Sequence, residues 1–141
     1  MKRTAKAFWQ GDLKSGRGHL TTQSGVLNET QYSFNTRFAD GIGANPEELL
    51  AAAHAGCFTM AIAYALSEQG YAPGEMNTNA VVSVDMVKGG ISQIDLELNA
   101  TAIEGLTAED FEKQAFISKE NCIISKALAG IKIELTVNYL Q

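Results

Sequence analysis

The 141-residue chain contains only two cysteines, Cys57 and Cys122, and only two prolines. Two cysteines far apart in sequence do not make the dense disulfide framework of a small secreted domain. With 45% hydrophobic residues, a chain of this length can bury a core without a disulfide. We therefore expect one domain over residues 1–141, in which the cysteines are either buried small side chains or a redox pair.

The sequence also has fewer basic than acidic residues, and its formal net charge is -5. Nucleic acids and anionic membranes attract basic surfaces, so we expect neither as a partner. The basic N-terminus is followed by an alternating stretch around Phe8 and Trp9, not by the continuous apolar segment of a secretory signal. We therefore expect a cytoplasmic protein whose thiols are kept reduced.

Motifs of several enzyme classes are missing. There is no P-loop, no GxGxxG fingerprint and no GxSxG elbow that would mark a nucleophilic serine. His19, His54 and two distant cysteines do not have zinc-finger spacing. We expect neither a metal nor a cofactor.

Short strands are predicted in the first part of the chain. Three segments of strand character are separated by Gly, Ser, Asn and Asp, and they run over Thr4–Trp9, Gly18–Thr22 and Tyr32–Phe38. They predict a three-stranded meander, with Arg37 in the third strand.

A long helix is predicted to start after Asn45, which offers a capping side chain. Pro46 suits the first helical position, and two glutamates then complement the helix dipole. The helix should end at Gly70.

This helix is apolar on nearly every face, but its many alanines, with His54, Gly56 and Thr59, argue against a membrane span. A helix buried on all sides needs more cover than three small strands provide. The composition therefore predicts a dimer.

The second half of the chain predicts a hairpin, two helices and a final strand. The segments are Asn79–Val87 and Ile91–Ala100 for the hairpin, Thr107–Lys119 and Ile123–Leu128 for the helices, and Ile131–Tyr139 for the strand. The order βββ-α-ββ-αα-β predicts an α+β fold.

Neither cysteine is diagnostic alone. Cys57 lies more than two turns past the helix start, where the helix dipole cannot lower its pKa, so a reactive thiolate there requires a cation from elsewhere. Arg37 and Arg17 are the candidates. His54, one turn before Cys57, could act as a base, but a lone helix histidine is more often a core or interface residue.

Over nearly the whole chain, the sequence resembles the OsmC/Ohr family of osmotically inducible and organic-hydroperoxide-resistance proteins. The strings FNTRF and NPEELLAAAHAGCF look like its OsmC branch. The segments that carry the resemblance are Trp9–Asp12, Ser24–Asn28, Phe34–Phe38, Asn45–Phe58 and Asn121–Ser125.

The resemblance implies an intertwined homodimer with a long central helix packed on antiparallel sheets. It implies that Cys57 is the peroxidatic cysteine, Cys122 the resolving one, and Arg37 with Glu47 the charge pair that holds the thiolate. Arg17 stays open as the alternative cation. Relatives often have proline after the second cysteine, where this chain has Ile123, so the local helix start is expected to differ.

The implied activity is reduction of organic hydroperoxides, and more weakly of hydrogen peroxide, through a sulfenic acid and a disulfide. An external dithiol, of lipoyl or another type, would then reduce the enzyme. Phe34, Phe38, Phe58 and Met60 could form an apolar wall near the thiol, although core packing explains each of them equally well. The rival hypotheses are a non-catalytic dimeric stress or ligand-binding protein and a redox sensor.

Glu47 precedes Cys57 by ten residues, which is about 15 Å of rise along a straight helix. The two side chains cannot touch within one helix. Either the helix breaks, near Gly56, or Glu47 reaches the site from the partner subunit.

Overall fold

The computed structural model describes residues 1–140 as six strands and four helices. The chain divides into two compact units, Met1–Leu49 and the residues from Leu50 onward. The single domain expected over residues 1–141 stays a prediction. Each unit is described by itself below.

The first unit contains an antiparallel meander, as the sequence predicts. Its strands pair in the order β1-β2-β3. They are β1 (Ala5–Gln10), β2 (Arg17–Thr22) and β3 (Thr30–Tyr32).

The strand predicted over Tyr32–Phe38 is wrong beyond its first residue, because Phe34–Phe38 forms a short helix, α1. Ser33 caps this helix: its hydroxyl accepts a hydrogen bond from the Thr36 N–H, and the Thr36 hydroxyl accepts one from the Ser33 N–H. This reciprocal capping box satisfies two backbone donors at the start of the helix. Arg37 is therefore a helical residue, not a strand residue.

Helix α2 covers Pro46–Glu68, and both of its predicted ends are confirmed. The Asn45 side-chain oxygen accepts a hydrogen bond from the Glu48 N–H at 2.7 Å. At the other end, Gly70 adopts a positive φ of 86°, and the next N–H, of Tyr71, donates to the Leu66 carbonyl at 3.0 Å.

The second sheet has the order β4-β5-β6. β4 (Met76–Asp85) and β5 (Gly90–Thr101) form the predicted antiparallel hairpin. β5 and β6 (Lys132–Leu140) pair in parallel, so the second sheet is mixed and not antiparallel throughout, as the resemblance had implied. A parallel pair requires a crossover connection. Two helices supply it, α3 (Ala108–Asn121) and α4 (Ile123–Ala127). The predicted α+β class is confirmed, with α1 added to the predicted order.

The core of the second unit lies between α2 and the sheet. From His54 onward, every fourth residue of α2 is buried, namely His54, Phe58, Ile62 and Leu66. The apolar members of this set share one cluster with alternate residues of β5, which are Ile94, Leu96, Leu98 and Ala100. These two periodicities, four on the helix and two on the strand, are those of one helix face packed on one sheet face.

The opposite face of α2 is not covered by the described residues of the second unit. It presents Ala53, Gly56, Met60 and Tyr64, and the last two are 75% and 69% exposed. Burial of α2 on all sides was expected in a dimer, and that expectation stays a prediction. By length and composition alone α2 could cross a membrane, but its buried side chains form part of a protein core.

Candidate active site

The two cysteines meet in the second unit. Cys57 is half-buried on α2, Cys122 is buried between α3 and α4, and both are free thiols. Their sulfur atoms are 3.1 Å apart. A disulfide bond is about 2.05 Å long, so bond formation needs an approach of only about 1 Å.

Cys122 occupies the break between two helices, as predicted. Its N–H donates to the Ser118 carbonyl at 2.9 Å, which ends α3, and its own carbonyl accepts from the Lys126 N–H at 3.0 Å in α4. Its φ and ψ of -59° and 125° are not helical. Helix α4 begins directly after it, at Ile123, in the absence of a proline at that position.

His54 is fully buried, and its Nε2 lies 2.8 Å from the hydroxyl oxygen of Ser125. Burial lowers the pKa of His54, which keeps its ring neutral. Among the hydrogen bonds of residues 1–140, none joins His54 to Cys57. The interpretation of His54 as a core residue is favoured over its role as a base for Cys57. Sequence reasoning assigned no role to Ser125, which lies three residues after Cys122 in the helix predicted from Ile123.

The two thiols ionise unequally. Burial raises the pKa of Cys57, and the hydrogen bond with Cys122 raises it further. The N–H groups of Ile124 and Ile123 lower this pKa, but by less. Burial also opposes ionisation of Cys122, but hydrogen bonds from the Ser125 N–H, the Cys57 thiol and the Ser125 hydroxyl together lower its pKa. Within this unit the negative charge therefore favours Cys122. A low pKa at Cys57 would need a cation beside its sulfur.

The expected charge pair forms in the first unit. Glu47 Oε1 accepts hydrogen bonds from Arg37 Nη2 at 2.8 Å and from Arg37 Nε at 3.0 Å. Burial opposes ionisation of Glu47, but the hydrogen bonds and charge of Arg37 outweigh it and hold the Glu47 pKa below its ordinary value. The pair is therefore intact at neutral pH and is lost as the pH falls through that lowered value. Arg17 lies at the start of β2 opposite Gln10, and within residues 1–140 it forms no ion pair with Glu47.

Residues 39–136 match the family model of the OsmC-like protein. The chain belongs to the OsmC family. It is 42% identical to peroxiredoxin OsmC of Escherichia coli (strain K12) over 135 residues, which cover 95% of this chain and 92% of the relative. It is 31% identical to organic hydroperoxide resistance protein OhrB of Bacillus subtilis (strain 168) over 138 residues, or 94% of this chain and 96% of that one.

Solved structures of the OsmC family have the same fold. An organic hydroperoxide resistance protein from Elizabethkingia anophelis superposes with a TM-score of 0.71 at 29% identity, over 99% of this chain and 98% of that one. An OsmC protein from Legionella pneumophila superposes with a TM-score of 0.70 at 26% identity, over 96% of each chain.

In this OsmC-family chain an apolar cavity of about 250 Å³ lies beside Arg37. Phe34 and Phe38 form part of its wall, with ring centroids 4.9 Å apart. The full lining is Trp9, Leu13, Tyr32, Ser33, Phe34, Arg37 and Phe38. Of the four residues suggested as an apolar wall, Phe58 is instead a fully buried core residue, and Met60 lies on the exposed face of α2.

Helix α2 of this OsmC-family chain is unbroken from Pro46 to Glu68. A break near Gly56 is therefore ruled out as a way to bring Glu47 to Cys57. On α2 itself the two residues are separated by about 15 Å of helical rise. Within residues 1–140, no group of three His, Cys, Asp or Glu side chains is arranged to hold a metal ion.

Proposed function

We propose that the protein is a thiol-dependent peroxidase that reduces organic hydroperoxides to alcohols through Cys57 and Cys122. The observation that carries this proposal is the 3.1 Å separation of the two free sulfurs. Relatives with the names peroxiredoxin OsmC and organic hydroperoxide resistance protein support it. A reducing compartment such as the cytoplasm would keep the resting pair as thiols.

Cys57 is the peroxidatic residue in this proposal because it is the more accessible of the two. Its thiolate attacks one oxygen of the O–O bond, the alkoxide leaves and takes up a proton, and Cys57 becomes a sulfenic acid. Cys122 then attacks that sulfur and displaces hydroxide, which becomes water, and a disulfide forms. A dithiol of lipoyl or another small type reduces the disulfide by two successive exchanges.

The thiolate of Cys57 is stabilised, we propose, by Arg37 of a second subunit. Burial raises the pKa of Cys57 within its own unit, so a cation must be supplied. Glu47 orients Arg37 by accepting two of its hydrogen bonds. Because α2 is unbroken, the pair cannot be brought to Cys57 by a kink in that helix.

The exposed face of α2 supports a homodimer. Its small residues, Ala53 and Gly56, allow close approach of a second helix, and Met60 with Tyr64 adds apolar surface. A Cβ atom added at Gly56 would meet nothing within 4 Å, so that position is open in one chain. Burial of this face between two copies would complete the cover that the helix composition requires.

The cavity beside Arg37 gives the proposed preference for organic over hydrogen peroxide. Its wall is largely aromatic and apolar, and the guanidinium at its edge lies 5.2 Å from the centre of the Phe38 ring. An alkyl or aryl group gains free energy by leaving water for such a wall, whereas hydrogen peroxide has no group to place there.

The direct test is a count of thiols. Reduced protein mixed with one equivalent of cumene hydroperoxide should lose both thiols per chain within the mixing time of a stopped-flow experiment, and mass spectrometry should show an intramolecular Cys57–Cys122 disulfide. A protein that keeps both thiols and consumes no hydroperoxide would be the non-catalytic binding protein. A disulfide linking two chains would instead contradict the assignment of Cys122.

Mixed dimers should show that the charge pair acts across subunits. A dimer of one Cys57→Ser chain and one Glu47→Ala chain, isolated with two affinity tags after co-expression, retains one site with wild-type Cys57 and wild-type Glu47 if the site is shared. We expect its steady-state hydroperoxide reduction to exceed that of either parent variant. Activity no higher than the mean of the two parent variants would place Glu47 and Cys57 in one chain.

The chain offers a matched control for this experiment. Cys57 and Cys122 are paired within one chain, so a dimer of Cys57→Ser and Cys122→Ser chains has no complete site and should not turn over. Met60→Glu places a charge on the exposed face of α2, and it should reduce the dimer fraction in sedimentation velocity and remove the restored activity.

A further inference from the structure

A buried hydrogen bond lies directly behind the two cysteines. His54 is one turn before Cys57 on α2, and Ser125 is one turn after Cys122 on α4. The His54 Nε2 and Ser125 Oγ atoms are 2.8 Å apart, and both residues are buried. The peroxidase chemistry described above assigns neither residue a role.

The surroundings of His54 determine which ring nitrogen carries the proton. Nδ1 is buried and has no hydrogen-bond partner in the part of the chain that the structure describes. A buried N–H without an acceptor is rarer and more costly than an unused lone pair, and burial keeps the ring neutral. The proton therefore belongs on Nε2, which donates to the Ser125 hydroxyl oxygen.

This direction leaves the Ser125 O–H free to donate elsewhere. Ser125 follows Cys122 by three residues, both residues are buried, and the polar groups of Ser125 lower the pKa of the Cys122 thiol. His54, Ser125 and Cys122 are therefore buried close to one another, and the hydrogen bond from His54 leaves the Ser125 hydroxyl available as a donor beside Cys122. A donor beside a thiolate stabilises its negative charge.

We propose that His54 and Ser125 are positioning residues for the resolving step, in which the His54 ring orients the Ser125 hydroxyl toward Cys122 and keeps that sulfur a ready nucleophile. The proposal rests on the assignment of Cys57 as the peroxidatic cysteine. The Cys122 thiolate attacks the sulfur of the Cys57 sulfenic acid, the S–S bond forms and the S–O bond breaks. The hydroxide that leaves takes a proton from solvent and becomes water, and the oxidising equivalent is the one that the hydroperoxide delivered.

Other ionisable groups border these three residues. Cys57 faces them from α2. On its outer side, Ser125 lines a cavity of about 240 Å³ together with Lys119, Glu120 and Lys126. Lys119 is held by Glu120 at 3.2 Å and by the Ile133 carbonyl at 3.3 Å. Lys126 is therefore the suitable control position for charge on that side.

The experiment separates the two chemical steps by quenched flow. Reduced protein is mixed with one equivalent of cumene hydroperoxide, sulfenic acid is trapped with dimedone at successive times, and disulfide is counted by mass spectrometry. In Ser125→Ala, sulfenic acid formation should stay near the wild-type rate. Disulfide closure at neutral pH should slow by about tenfold or more, the loss expected for a hydrogen bond to a charged group.

The pH profile distinguishes this role from a merely structural one. In Ser125→Ala the rate of disulfide closure should increase as the pH rises. The midpoint of this pH–rate profile should lie at a higher pH than in the wild type, because the Cys122 thiolate then forms only at higher pH. Ser125→Thr keeps a hydroxyl and should retain both the rate and the midpoint. Lys126→Gln should leave both unchanged.

The histidine is tested with its own conservative pair. The His54→Gln side chain can still donate to the Ser125 hydroxyl, so this variant should form the disulfide faster than His54→Leu. The double variant His54→Leu with Ser125→Ala should form it no more slowly than Ser125→Ala alone, because His54 acts through Ser125. Closure in Ser125→Ala with the wild-type rate and midpoint would overturn the proposal. A wild-type protein that forms sulfenic acid but no disulfide would overturn the proposed role of Cys122, and one that forms neither would overturn the proposed peroxidase function.

Discussion

Replacement of Cys57 by serine should abolish hydroperoxide reduction, whereas replacement of Cys122 by serine should leave the first reduction event intact. Only a thiolate attacks the O–O bond at an appreciable rate, and a serine hydroxyl is not ionised near neutral pH. Cys57→Ser should therefore consume no hydroperoxide. Cys122→Ser should consume about one equivalent per chain at close to the wild-type rate and then stop.

The two variants are matched because they remove one sulfur each from a pair 3.1 Å apart. Dimedone labelling followed by mass spectrometry should find a sulfenic acid on Cys57 in Cys122→Ser and no label in Cys57→Ser. The reverse pattern, with the label on Cys122, would mean that the thiol with the lowered pKa is also the one that meets the peroxide. The structure makes this a real alternative, since within the second unit the charge favours Cys122.

Arg37→Met should produce the next largest effect, a loss of about a hundredfold in the rate of Cys57 oxidation at neutral pH, comparable to removal of one close opposite charge from a thiolate. Burial and Cys122 both raise the pKa of Cys57, so the variant should keep Cys57 protonated. Its oxidation rate should rise with pH over a range in which the wild-type rate is already constant. The initial rate of hydroperoxide consumption, measured across pH, gives both values.

Arg17→Met is the matched control for this prediction. It removes the same charge from the same unit, but at the start of β2 and from a residue that forms no ion pair with Glu47 within residues 1–140. We expect it to retain the wild-type pH profile. If Arg17→Met slowed Cys57 oxidation and Arg37→Met did not, Arg17 would be the arginine that stabilises the thiolate. The cavity beside Arg37 would then lose its proposed part in substrate preference.

The main correction to the sequence-based prediction concerns the residues around Arg37. The aromatic FNTRF segment was expected to continue a strand, because Phe and Thr favour strands. Ser33 and Thr36 instead form a capping box, and this local hydrogen bonding outweighs strand propensity over five residues. The serine and threonine were visible in the sequence, but the box usually has Glu or Gln where this chain has Thr36.

The sequence by itself determined the features that depend on neighbours within a few residues. The cap at Asn45, the proline after it and the glycine at position 70 define both ends of α2. Alternating residues define the β4–β5 hairpin, and the Thr107 cap defines the start of α3. These signals act through hydrogen bonds and side-chain positions that repeat every two to four residues, so they do not require knowledge of the fold.

Only the tertiary structure decided how the chemical groups meet. The 3.1 Å contact of Cys57 with Cys122, the hydrogen bond between His54 and Ser125, and the exposed outer face of α2 all depend on packing between segments far apart in sequence. The order in which the thiols ionise depends on burial and on donors from α4, neither of which composition reveals. A pKa is set by everything within a few ångströms of a group, and the chain brings those atoms together only when it folds.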